Sequence, residues 1–158
     1  MISVHYYDPF NFTIDENKTA KTQWGKYAVK NYDNWGQEDY VDSQMALLNE
    51  KFVSHGYPVV IGEFGAQDKT EKFADYNEFR RYWAEYLIKA AKKNAFFFLY
   101  WDNGYNGNKG FGIINRFDYT ITQPDLIAGM MRAINSTDDY DIPSPAGYTE
   151  VRKSAKAS

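Results

Sequence analysis

The chain has 158 residues, 44% hydrophobic and 25% charged, a balance that supports one globular core without showing that the core is a whole functional unit. Its net charge of -3 supplies no basic field, which excludes nucleic acid and anionic membrane as natural partners and points to a neutral ligand. The absence of cysteine removes disulfides, thiolate nucleophiles and thiolate metal sites, while an aromatic share of 18% suits either an aromatic core or a surface that stacks on sugar faces.

The first predicted element is a buried strand, Ile2 to Tyr7, following Met1 with no basic leader, so an export signal is expected upstream if the protein is exported. A long connection follows, Asp8 to Gly36, carrying Phe10, Phe12, Trp24 and Trp35. Val41, Met45, Leu48 and Phe52 then fall at helical spacing, and His55-Gly56 stops that helix with a residue suited to a left-handed cap. A second buried strand runs from Pro58 to Phe64.

The next helix is predicted over Tyr76 to Lys93, with Asp75 as N-cap, a stripe of Phe79, Trp83, Leu87 and Ala90, and Lys92 and Lys93 at the negative end of the dipole. Ala95 to Trp101 is a third buried strand and the longest apolar run, far too short to cross a bilayer. A second long connection, Asp102 to Thr122, is rich in Asn and Gly. Pro124 opens a last helix with an expected buried face of Ile127, Met130, Met131 and Ile134. Residues 1–135 form the expected folded part; 136–158 are polar, lack an apolar period and read as a flexible tail or linker.

The order β-α-β-α-β-α implies a parallel α/β sheet, doubly wound or closed as a barrel, whose active site lies where strands exit into long loops. His5 and Tyr7, two apart, project to one side of the first strand. Glu63 stands where an apolar strand exits, between Gly62 and Gly65, which permit close backbone approach. Trp101-Asp102-Asn103-Gly104 ends the third strand. Taken singly, a core histidine, a core tryptophan or a solvated carboxylate is the ordinary reading of each. Together they place a hydrogen-bonding pair, a carboxylate and a stacking platform at one pole, an arrangement suited to sugar hydrolysis.

His5-Tyr6-Tyr7-Asp8-Pro9, Gly62-Glu63-Phe64-Gly65 and Trp101-Asp102-Asn103-Gly104 resemble the last three strands of family 5 glycoside hydrolases, especially bacterial endo-β-1,4-glucanases, over Ile2 to about Ile134. The resemblance implies a partial (β/α)8 TIM barrel comprising the last three βα units with parallel strands. It also implies a retaining mechanism with Glu63 as nucleophile, Tyr7 tuning its carboxylate, and His5 contacting substrate or the second carboxyl. Trp101 would stack under the reacting sugar, and Trp24, Trp35, Asn103 and Lys69 would contact further sugars.

The family's acid/base, on an Asn-Glu-Pro motif of the fourth strand, has no counterpart here: Asn49-Glu50 and Asn77-Glu78 lie in helical patterns and neither precedes proline. Three strands cannot close a barrel, so the expected complement is an N-terminal barrel portion from another chain, a portion lost by truncation, or self-association. The expected partner is a β-glucan, with no cofactor, no metal, no nucleic acid and no membrane; His5 and His55 fall on different elements. The family implies secretion or a cell-surface location. The rival readings are a non-catalytic glucan-binding piece using exposed tryptophans and a fragment without independent function.

Overall fold

The computed structural model describes residues 1–137 and 139–151. Three parallel strands, β1 (Ile2–Tyr6), β2 (Val59–Phe64) and β3 (Phe97–Tyr100), form one sheet in the order β1-β2-β3. Helix α2 (Glu38–Lys51) joins the first two strands and α3 (Tyr76–Lys93) the last two, as parallel pairing requires. Helix α4 (Pro124–Asn135) packs on α3, and a single turn, α1 (Phe10–Thr13), lies in the loop after β1.

The two faces of the sheet differ. Val59, Ile61 and Phe64 are fully buried under the helices, joined by Tyr6, Val4, Phe98 and Tyr100. On the opposite face Phe97 and Leu99 are 68% and 61% exposed, although both are strongly apolar. The core lies on one side only.

The predicted stripe of α3 is buried as expected, but burial extends to Tyr82, Ala84, Ile88 and Ala91, because α4, the first loop and residues 139–151 wrap it. Gly56 takes the left-handed conformation (φ 81) expected of it, closing a 3-10 turn, Val53–His55. Asp75 occupies the N-cap position without a side-chain cap bond; its carboxylate accepts from Tyr148 Oη and Gln23 Nε2.

The buried face of α4 corrects the sequence expectation. Leu126, Gly129, Met130 and Ala133 are buried, while Met131 and Ile134 are 46% and 38% exposed. The helix is turned by a buried ionic cluster: Glu85, fully buried, accepts from Arg81 Nη1 at 2.8 Å, Arg132 Nε at 2.7 Å and Tyr140 Oη at 3.1 Å. Gly129 faces that cluster, where a β-carbon would lie 2.7 Å from Arg81 Cγ. Leaving Glu85 unpaired would cost several kcal/mol, on the order of 3–5. Exposing two apolar side chains costs less.

The expected flexible tail is also corrected over residues 139–151. Tyr140, Ile142 and Tyr148 pack on the core, Tyr148 meets the Phe79 ring at 4.8 Å, and Arg81 Nη2 donates to Pro143 O and Ser144 O. The polar composition hid this because backbone carbonyls, which carry no side-chain signature, make several of the contacts. Asp138 and residues 152–158 of that expected tail lie outside the described residues.

Candidate active site

Glu63 owes its position to an irregularity in β2. Val4 pairs with Ile61 and the next residue, His5, pairs with Glu63; on the other side Ile61 pairs with Phe98 and Phe64 with Tyr100. Strand β2 thus carries one residue more than each neighbour over Gly62–Glu63, which is a bulge. Strict alternation would have placed Glu63 with Val59 and Ile61 under the helices. The extra residue turns it to the open face and returns Phe64 to the core. Gly62 permits the close approach, since a β-carbon there would lie 2.8 Å from Ser3 Oγ.

On the open face Glu63 meets Tyr7, the partner expected of it, and also His5, which was expected to contact the substrate or the second carboxyl. Tyr7 Oη donates to Glu63 Oε2 at 3.1 Å, and His5 Nδ1 lies 3.3 Å from the same oxygen. Burial, the hydrogen bond to Glu63 and the charge of that carboxylate all push the Tyr7 hydroxyl upward, so it remains a protonated donor at neutral pH. Among the described residues nothing engages Oε1. One oxygen is held and the other is free.

Trp101 is 42% exposed at the exit of β3, its backbone N–H donating at 2.8 Å to the carbonyl of Phe64, one residue beyond Glu63. Asn103 is exposed, with Oδ1 accepting from Tyr105 N and Phe111 N at 3.1 Å each, so its oxygen organises the loop. Trp35, 47% exposed, stands edge-on to Tyr40 at 5.6 Å.

Two expected sugar contacts are placed elsewhere. Trp24 is fully buried, its indole N–H donating to Gly36 O at 2.6 Å and its rings packed against Tyr82 and Tyr86, so no sugar can reach it. Lys69 is buried, with Nζ donating to Phe12 O at 2.7 Å and Asn11 O at 3.2 Å, and burial pulls its ammonium down to about 8. It lies in the wall of a cavity of about 830 Å³ that also includes Lys72, Phe73 and Lys109 but not Glu63.

The sequence reading missed the loop's organiser, Asp102. Its carboxylate accepts from Gly104 N at 2.6 Å and Ile113 N at 3.0 Å, and Arg116 lies 3.5 Å away. Burial pushes this carboxyl up, but those two backbone donors and Arg116 outweigh burial and leave it below the ordinary aspartate value. The signal was available: Asp followed two residues later by Gly is a turn pattern. Among the described residues no three His, Cys, Asp or Glu side chains are grouped to hold a metal, and no helix is long and apolar enough to cross a membrane.

Residues 1–107 match the family model of cellulase (glycosyl hydrolase family 5). Endoglucanase A of Paenibacillus barcinonensis is 45% identical over 136 residues, which cover 85% of this chain and 34% of that protein. A xyloglucan-specific endo-beta-1,4-glucanase of Bacteroides ovatus is 34% identical, with 85% and 27% covered. The solved structure of a family 5 xyloglucanase from Paenibacillus pabuli, in complex with ligand, superposes with a TM-score of 0.82 at 44% identity, covering 85% of this chain and 38% of that one. The chain spans about a third of the length of these curated relatives.

Proposed function

The chain belongs to glycosyl hydrolase family 5, with the α/β architecture of a partial (β/α)8 barrel, and from that premise we propose that it carries the nucleophilic half of a retaining endo-β-1,4-glucanase site centred on Glu63. The observation that carries the proposal is the asymmetry of the Glu63 carboxylate, with Tyr7 and His5 on Oε2 and Oε1 free toward the open sheet face. In the first step Oε1 attacks the anomeric carbon while the bond to the departing glucan oxygen breaks and that oxygen takes a proton from an acid. In the second step water, deprotonated by the same group, displaces Glu63 and restores the carboxylate.

The acid/base is assigned to complementing β/α units or a second copy of the chain. Glu50 and Glu78 do not serve: they lie on α2 and α3, and Glu78 Oε2 is engaged by Ala146 N and Arg81. The uncovered face bearing Phe97, Leu99 and Trp101 is where such units would pack. The proposed substrate is a β-1,4-linked glucan, and xyloglucan is included because similar proteins are named for it. Since a polymeric substrate cannot enter a cell, the proposed place of action is secreted or cell-surface.

The test is covalent. An activated 2-fluoro-glucoside, given to the assembly that hydrolyses glucan, is expected to label Glu63, and an adduct on another residue would sink the assignment. Glu63→Gln is expected to lower kcat by roughly four powers of ten while leaving glucan binding intact. The exposure of Trp35 and Trp101 favours a second reading, glucan binding without hydrolysis. Retention on insoluble glucan with no reducing sugar released from any assembly would select it.

A further inference from the structure

A positive charge is buried beneath the site with no carboxylate paired to it among the described residues. Arg80, on α3, is 1% exposed, and neither an ion pair nor a hydrogen bond joins it to Asp or Glu among the described residues. Its Nε donates to Ala66 O at 2.7 Å and its Nη2 to Tyr100 Oη at 3.1 Å, while Nη1 has no hydrogen-bond partner among the described residues. Burying an uncompensated guanidinium costs stability, and a core helix could carry an apolar residue there instead.

What the charge gains is contact with both strand exits at once. Ala66 lies three residues beyond Glu63, and Tyr100 immediately precedes Trp101. Tyr100 passes the connection on, its hydroxyl donating to Phe111 O at 3.0 Å. The Phe111 ring then stands edge-on to Tyr7 at 6.2 Å and against Gly65, and Tyr7 holds Glu63. A planar guanidinium can bridge two acceptors in fixed directions, which a lysine ammonium does not reproduce.

We infer that Arg80 is a positioning residue that sets the exits of β2 and β3 against each other, so that Glu63 and Trp101 converge on one sugar. The inference rests on the proposed roles of Glu63 and Trp101, but the placing itself is measurable without activity. In Arg80→Lys, native-state hydrogen exchange should quicken about tenfold or more at the amides of Trp101 and Phe111, which bond Phe64 O and Asn103 Oδ1. The amide of Phe52, bonded to Leu48 O at the end of α2, should exchange as before.

Tyr100→Phe removes one hydroxyl and no core volume, so it remains folded if Arg80→Lys does not, and it should quicken Phe111 alone. Quickening of all three amides equally would show plain stabilisation and overturn the inference, as would no change in either variant. In the hydrolysing assembly both variants should slow labelling by the 2-fluoro-glucoside. If the parent protein is labelled away from Glu63, the nucleophile reading fails while the exchange result still decides whether Arg80 places the strand exits.

Discussion

The two long loops, after β1 and after β3, are built on opposite principles. In the first, Phe12, Trp24, Tyr27 and Ala28 are buried, and α3 grips the backbone through Tyr76 Oη to Phe12 O at 2.9 Å and Trp83 Nε1 to Asp8 O at 3.1 Å. In the second, Phe117, Tyr119 and Tyr105 are 97%, 83% and 58% exposed, and the loop is organised around the side chains of Asp102 and Asn103. One sends most of its large aromatic side chains into the core. The other is a surface loop closed on itself at its base.

The largest expected effect tests that contrast directly. Trp24→Ala should destabilise by about 3–5 kcal/mol, because it empties a fully buried site, whereas Phe117→Ala should stay within about 0.5 kcal/mol. Urea unfolding with tryptophan-independent detection would read both. A small loss at Trp24 together with a large one at Phe117 would reverse the assignment of the two loops.

This contrast also shows what the sequence could and could not reveal. The three strands and the α3 stripe were legible because they rest on local periodicity, and the position of Glu63 at a strand exit was legible from its glycines. The fate of Trp24 was not, because a buried and a substrate-facing indole in an irregular segment leave the same trace. The α4 rotation depended on Glu85, 47 residues before its partner Arg132, and the bulge that turns Glu63 outward is a difference in count between three strands. Its one local trace was Gly62.

A smaller effect is expected at Asp102, which should matter to the second loop and little to the first. Asp102→Ala leaves the amides of Gly104 and Ile113 without their acceptor, a loss of about 1–3 kcal/mol confined to the loop. Hydrogen exchange should quicken at those amides and stay unchanged at Lys21, which bonds Asn11 O in the first loop. Protonation should do the same reversibly. The folded carboxyl is depressed, so its contribution is complete above the ordinary value of 3.8 and is lost as pH falls through the lower folded value. The Gly104 amide resonance should follow that titration, and a midpoint above 3.8 would contradict it.

The smallest effect separates packing from function within the first loop itself. Trp35 differs from Trp24 there, with its ring 47% exposed while Gln37 Nε2 donates to its carbonyl at 3.2 Å. The backbone is held and the ring is not enclosed, an arrangement that suits stacking on a sugar without prior cost of ordering. Trp35→Ala should therefore leave stability within about 0.5 kcal/mol and weaken cello-oligosaccharide binding by about 1 kcal/mol, several-fold in Kd by titration calorimetry. If stability fell and binding held, Trp35 would belong with Trp24 as a packing residue.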